Sequence, residues 1–419
     1  MTWNDLNSTT ASLDFISSNP VVYHCHHFNL FLDQTVDDFY DPERGTRIRT
    51  AMARSACETL LQSLYRSLEK QHTHLLPPKR IELAQNLFKD FGHGRLFIYG
   101  DEEGGKVEGE YLHYGFAWRE KYGRQVERRH PADAFAGGFA AAALQTAYEA
   151  KHPYAAKETD CIATGATKCK FELTKTERSE VDIHIPDVTT MEPFLTSFSP
   201  MAGAEEERIR QIEAGLRGFL AGVRGDQRGL VEAFGVFVTR HSANYYNGIS
   251  YRMLADLTRT APFLKESAEE LLRESGHVCV FNTFGGILYS PEWEANFGRI
   301  EGGLNEVVSS CMAIARALGF GHWTIAELSE NHLVVRAFTE YESPFCLAND
   351  WAPRSGNCYF LQGAALAIMR LYDAIDWQEK PALDQRLYLK LFKSEHPWKV
   401  TQTKSLANGD PYSEVIVSR

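Results

Sequence analysis

The chain has 419 residues, room for roughly two to four compact units at about 100 to 200 residues each. Its composition, 44% hydrophobic, 24% charged and 12% aromatic, is that of a folded globular protein and excludes a fibre or a disordered chain. With 44 basic against 55 acidic residues the formal charge is −11, the wrong sign for a broad surface that holds phosphate backbones, so nucleic acid is not an expected partner. No apolar run reaches the length of about 18 that a membrane helix needs. The start, MTWNDLNSTTASLDF, has neither the basic nor the apolar region of a secretory signal, so a cytoplasmic protein with no membrane partner is expected. Eight cysteines, at 25, 57, 161, 169, 279, 311, 346 and 358, are too sparse for a disulfide scaffold and read as thiols or metal ligands.

In chain order, Arg44–Gln71 carries Ile48, Met52, Ala56, Leu60, Leu61, Leu64 and Leu68 three and four apart, which predicts a long amphipathic helix. Pro77-Pro78 interrupts, a helix over Ile81–Phe91 follows, and Arg95–Tyr99 and Val107–Tyr114 alternate as strands around EEGGK. After Pro131, AFAGGFAAAALQTAYEA predicts a helix of small residues that a neighbouring backbone can approach closely. A strand pair flanking Gly165 closes this α+β unit near Leu173.

The same order of signals returns. FGHGRLFIY (91–99) parallels LGFGHWTIA (318–326), and HCHHFN (24–29) parallels HVCVFN (277–282), each expected to precede a helix. Asp133 with AFAGGFAAAAL parallels Cys358 with YFLQGAALAIM, Gly138 matching Gly363, and TDCIATGATKCKF (159–171) parallels TKSLANGDPYSEV (403–415), Gly165 matching Gly409. A duplication follows: α+β domains over 1–178 and 275–419, joined by a helical connector over 179–274. Within the connector, an acidic, Pro-containing stretch (180–200) precedes charged helices. GVFVTRHSANYYNGISYRML places Arg240, His241, Asn244, Tyr245, Tyr246 and Asn247 among apolar residues, as an interface with one of the repeats would.

Glu158, Cys161 and Cys169 form the sharpest chemical motif. Two strands turning at Gly165 bring the thiols together, and thiolates at short separation suit Zn²⁺ with its four tetrahedral ligands, the fourth coming from elsewhere. Two plain buried cysteines, or a disulfide or redox pair, are the other readings of this spacing.

The pattern E-x-x-C-x-x-x-G-x-x-x-C-x-F after a glycine-bearing helix resembles the 4-vinyl reductase domain found in the sensor modules of phenol-responsive transcription activators and in proteins linked to bacteriochlorophyll synthesis. The resemblance covers about residues 20–175 and, more faintly, 275–419. It implies two 4-vinyl-reductase-like domains, of the TRAPP and haem-NO-binding kind, and zinc held by one Glu and three Cys beside an apolar pocket for an aromatic ligand. Glu158, Cys161 and Cys169 match three of those ligands, and the fourth cysteine falls on or near Asp133. In the second copy Gln402, Ser405 and Ser413 replace Glu158, Cys161 and Cys169, only Cys358 keeps a ligand position, and no metal is expected.

The run Tyr23-His24-Cys25-His26-His27-Phe28-Asn29 is not explained by the resemblance. If Val21–Phe28 is a strand, His24 and His26 share one face, where two imidazoles can hold a second transition metal, iron or copper, or act as acid and base. His93, Glu110 and His113 are the expected companions. The lysine and hydroxyl of a phosphate loop are missing from AFAGGFAAA, and no G-x-S-x-G elbow or HExxH occurs. Cys57 and Cys311, on apolar helix faces, read as core thiols.

The expected function is binding of a small aromatic or hydrophobic ligand, phenolic or tetrapyrrole-like, lined by His93, His113, Tyr114, Trp118, His241 and Tyr245, beside a structural zinc site and within a homodimer. The alternative is a metal-dependent oxidoreductase or lyase that uses His24, His26 and His27 on an aromatic substrate. A third possibility is an adaptor that docks through its acidic surface.

Overall fold

The computed structural model describes residues 3–70, 74–123, 126, 128–177, 185–187, 189, 191, 192, 195, 204–351 and 357–419. An exposed strand, β1 (Asn7–Thr10), turns into β2 (Leu13–Ile16) and then β3 (Asn19–Cys25), buried along its whole length. Helix α1 (His26–Phe39) starts at once, its inward positions Phe28, Leu32 and Val36 recurring at helical spacing. Helix α2 (Pro42–Glu69) is fixed at its start by Pro42 in the first turn and by Asp41, whose side chain accepts the Arg44 N–H at 2.9 Å. Then come α3 (Pro77–Asp90), β4 (Arg95–Asp101), β5 (Gly104–Glu110), α4 (His113–Tyr122), α5 (Ala134–Tyr148), β6 (Tyr154–Asp160) and β7 (Cys169–Lys175). The last four strands form an antiparallel sheet in the order β4-β5-β7-β6, with the small-residue helix α5 packed against α2.

The second half opens with α6 (Ala204–Gly222), β8 (Val231–Ala233), β9 (Val236–Ser242) and α7 (Ala243–Thr260). Helix α8 (Lys265–Cys279) runs through a π-helical turn (Val280–Phe284) into α9 (Gly285–Tyr289). It is followed by α10 (Pro291–Phe297), α11 (Leu304–Ala317), β10 (Trp323–Ser329), β11 (His332–Ala337), α12 (Glu342–Ala348), α13 (Tyr359–Ala374), α14 (Gln385–Phe392), β12 (Lys399–Lys404) and β13 (Ser413–Ser418). Its antiparallel sheet, β10-β11-β13-β12, has the strand order of the first. Gly94 and Gly321 sit at the entrance to β4 and β10 with φ of +99° and +121°, and a Cβ on either would strike the carbonyl of Tyr111 or Thr339, so both must be glycine.

A third antiparallel sheet, β1-β2-β3-β9-β8, joins the halves. Tyr23 lies opposite Arg240 and His24 opposite Thr239. The contacts are reciprocal: Tyr23 N–H donates to Leu318 O at 3.0 Å, and Arg240 N–H donates to Phe91 O at 2.9 Å. Among the described residues the molecule is thus α+β with three antiparallel sheets.

Three expectations change. The segment placed in a helical connector contains β8 and β9, which complete the central sheet; its boundary at 178/179 and most of 180–200 lie outside the described residues. HVCVFN closes α8 and enters the π-helical turn, whereas HCHHFN spans the end of β3 and the start of α1, so the two runs do not occupy matching elements. Finally, the strand predicted over Val21–Phe28 ends at Cys25, because the helical spacing of the apolar residues takes over at His26.

Candidate metal centre and histidine core

Asp133 ends the segment before α5, Glu158 lies on β6, and Cys161 and Cys169 flank the turn into β7. One ligand atom from each lies within 4.8 Å of all the others. The Asp133 Oδ2 is 3.2 Å from Cys169 Sγ and 3.8 Å from Cys161 Sγ. Backbone N–H groups orient the donors: Ala132 donates to Cys161 Sγ and Ile162 to Cys169 Sγ, both at 3.3 Å, and Asp133 donates to Glu158 Oε2 at 3.0 Å. The other carboxylate oxygen of Glu158, Oε1, is buried and has no partner. Burial pushes the Asp133 and Glu158 carboxyls and the Cys169 thiol well above their ordinary values, while hydrogen bonding, from Cys169 first, draws Cys161 down to about 6. Two sulfurs and two carboxylate oxygens at this spacing fit a divalent cation, whose charge would offset the cost of burying them. All eight cysteines are free and buried, so the pair is not a disulfide here.

Asp133 has a second task. Its Oδ1 accepts the N–H groups of Tyr114 and Gly115 at 3.2 Å, and Oδ2 accepts Gly115 again at 3.1 Å, holding the first turn of α4. The second half divides this work. Cys358 stands where Asp133 does, and Glu340 accepts the Ser343 N–H at 3.1 and 3.0 Å to hold α12. Gln402 accepts the Cys358 N–H at 3.0 Å, and Ser413 Oγ accepts the Leu406 N–H at 3.1 Å, the contacts that Glu158 and Cys169 make in the first half. Glu340, Glu342 and Cys358 form a second close group, although metal was not expected in this half. Its carboxylates are already engaged: Glu342 accepts from Tyr251 OH at 3.1 Å and from Phe360 N–H at 3.2 Å.

The histidines divide differently from the sequence pattern. His24 is fully buried and sandwiched between Phe28 (ring centroids 3.7 Å apart) and Phe320 (4.7 Å), with its Nδ1 3.5 Å from Cys279 Sγ. His26 and His27 open α1 instead, their rings 3.9 Å apart, and His26 Nδ1 accepts the Phe237 N–H at 3.1 Å. Thus His24 and His26 do not share a face, and among the described residues no close group of metal-ligating side chains contains a histidine. Glu110 is also elsewhere, paired with Arg95 at 3.3 Å on the surface.

His93 and His113 do come together, 6.3 Å apart, and the imidazole they meet is His241, 4.8 Å from His93. Phe135 lies 4.0 Å from His241, Tyr245 stacks on His241 at 4.9 Å, and the two rings are 5.1 Å from each other. Tyr114 OH is 3.2 Å from His241 Nε2, so a chain of contacts runs from Asp133 through Tyr114 to His241. Asn29 Nδ2 donates to His113 Nε2 and to Thr239 Oγ1, each at 2.9 Å, and Tyr246 OH donates to Asn29 Oδ1 at 2.5 Å. The sequence marks Asn29 and Tyr246 only as members of polar runs; their pairing with each other and with His113 depends on contacts between segments far apart in the chain. Of the expected lining residues, Trp118 alone lies apart, donating through Nε1 to Val126 O at 2.9 Å under the Arg128 guanidinium.

Partners fix the tautomers. His93 Nε2 faces the Arg240 carbonyl at 3.1 Å and must donate, leaving His93 Nδ1 as an acceptor; His113 Nε2 accepts from Asn29, leaving its Nδ1–H as a donor. Both Nδ1 atoms are buried and without a partner. Burial lowers the His93 pKa to about 3 and those of His113 and His241 well below the usual value, so all three are neutral at pH 7.

No family model and no curated protein matches the chain. Among solved structures it is similar to the phenol-responsive sensory domain of the transcription activator PoxR with phenol, at a TM-score of 0.34 and 12% identity, over 41% of this chain and 86% of that one. Among the described residues no helix is long and apolar enough to cross a membrane.

Proposed function

We propose that the chain binds a small single-ring phenolic molecule in the histidine core of its first half, beside a structural zinc ion held by Asp133, Glu158, Cys161 and Cys169. One observation carries the reading: His93 Nδ1 is a buried acceptor and His113 Nδ1–H a buried donor, and neither has a partner. Buried polar atoms are rarely left unpaired. A hydroxyl both donates and accepts, so a phenol can supply both missing partners while its ring takes a place among Phe135, Tyr245 and Tyr246. In the second half Phe320 stands where His93 does, between the matching glycines, and that polar pair is lost.

His93, His113 and His241 are buried, and a space at Tyr246 lined also by Phe28, Tyr341 and Phe360 is only about 20 Å³, so binding a ring among the imidazoles requires side chains to move. A single ring asks far less of the core than a tetrapyrrole. The shared strand order, the matched hydrogen bonds of the two cages and the reciprocal β3–β9 contacts support reading the halves as tandem 4-vinyl-reductase-like domains. Paired in this way, they make within one chain the two-fold contacts that an isologous dimer makes between chains. The enzyme reading gains nothing from the geometry, since His24 is separated from His26 and His27.

Titration calorimetry with phenol and with toluene tests the proposal. His93→Phe and His113→Phe keep a ring in place but remove the nitrogens; each is expected to weaken phenol binding at least tenfold and leave toluene unaffected. Equal effects on both ligands, or none, would show that the imidazoles do not read the hydroxyl. Elemental analysis should find one zinc per chain in the wild type and none in Cys161→Ser.

A further inference from the structure

On the opposite face of the central sheet from His24 and His241 lies a pocket of about 470 Å³ between the β1–β2 hairpin, β3, β9 and α6. Its walls carry Arg217, Arg224 and Arg240 against a single acidic residue, Asp14. Asp14 is already committed: Arg217 Nη1 holds its Oδ1 at 2.6 Å, and Thr9 Oγ1 donates to the same oxygen at 2.9 Å. Arg217 is further balanced by Glu213 at 3.0 Å.

Arg240 has no such balance. It is only 8% exposed, and among the described residues no carboxylate lies within ion-pair distance. Its guanidinium rests over the rings of Tyr23 (5.7 Å) and Phe91 (5.6 Å), Nη1 donates to the neutral Asn7 side chain at 2.9 Å, and Nε has no partner. A buried cation normally has a counter-charge, because desolvation is otherwise uncompensated. The aromatic rings fix the plane of the guanidinium, which leaves it pre-set for a forked contact to an oxyanion.

We propose that this pocket binds a small organic oxyanion, through a carboxylate or phosphate group held by Arg240 with Arg224 beside it. The apolar wall formed by Leu220, Ala221 and Ala317 takes the organic part. This site is separate from the phenolic pocket and does not depend on it.

Titration calorimetry with benzoate, phenyl phosphate and inorganic phosphate, and with phenol as the uncharged control, is the test. At least one of the organic anions is expected to bind with one-to-one stoichiometry, more weakly as chloride is raised; preference between benzoate and phenyl phosphate identifies the group. Arg240→Met should weaken binding at least tenfold while phenol binding is unchanged. Should Arg240→Met fail to fold, judged by circular dichroism, Arg224→Met at the same wall decides, with a severalfold loss expected. No saturable binding of any of the anions, or the same affinity in the wild type and the folded variants, would overturn the proposal.

Discussion

Gln402 accepts the backbone N–H of Cys358 at 3.0 Å, and in doing so repeats in the second half the contact by which Glu158 holds Asp133 in the first. The two cages share one hydrogen-bonding plan with different donor atoms, and Ser405 and Ser413 fill the places of Cys161 and Cys169. Converting one into the other is therefore a local chemical change. The triple variant Gln402→Glu, Ser405→Cys, Ser413→Cys, with Cys358 already present, should raise the zinc content from one to two per chain by elemental analysis. Content that stays at one would mean that the matched backbone contacts do not make the cages equivalent.

The close approach of helix α5 to α2 recurs between α13 and α8. A Cβ on Gly138 would come within 2.4 Å of Thr50 O, and one on Gly363 within 1.8 Å of Arg273 O. Neither obstacle is a movable side chain. Gly138→Ala and Gly363→Ala should each cost about 1–3 kcal/mol by overpacking, read as a lower urea midpoint at constant slope. A neutral result at either site would show that the helices can slide apart.

His24 fills space rather than supplying a charge: its Nε2 has no partner, and burial keeps its pKa well below the usual value. His24→Phe preserves the stack between Phe28 and Phe320 and removes an unpaired polar atom, so the urea midpoint should hold or rise. Phe28→Ala should cost about 3–5 kcal/mol. A large loss in His24→Phe would reveal a polar task for this imidazole.

Acid should unfold the protein through its buried neutral histidines. Burial first, and the charge of Lys121 after it, lower the His26 pKa from 6.5 to about 4. Between those values the unfolded chain binds the extra proton, so the contribution is present above pH 6.5 and is lost as pH falls through about 4. The loss is roughly 3 kcal/mol at most for this group. Stability measured from pH 7.5 to 4 should fall less steeply in His26→Gln, whose amide oxygen can still accept from Phe237. An unaltered slope would place the proton uptake elsewhere.

Much of the architecture is written in local pattern. The apolar spacing from Ile48 to Leu68 and the capping pair Asp41-Pro42 specify α2, and small residues specify α5. Gly94 and Gly321 are required by their backbone angles, and the cysteine pair about Gly165 with Glu158 marks three members of the cage, the fourth, Asp133, being implied only by the resemblance. These features depend on residues close in the chain or on the needs of one turn, so the sequence by itself determines them. What lies across the molecule was decided only by tertiary structure. The letters shared by HCHHFN and HVCVFN suggested a false match, because a strand end and a helix end carry similar apolar residues. The histidine that meets His93 and His113 is His241 from β9, more than 120 residues beyond either in the chain, while His24 crosses to stack on Phe320 and meet the edge of Phe360 in the other half. Pairing β3 with β9 exchanges these two side chains between the cores. No periodicity within either strand records which strand lies beside it, for that choice rests on contacts between segments far apart in sequence.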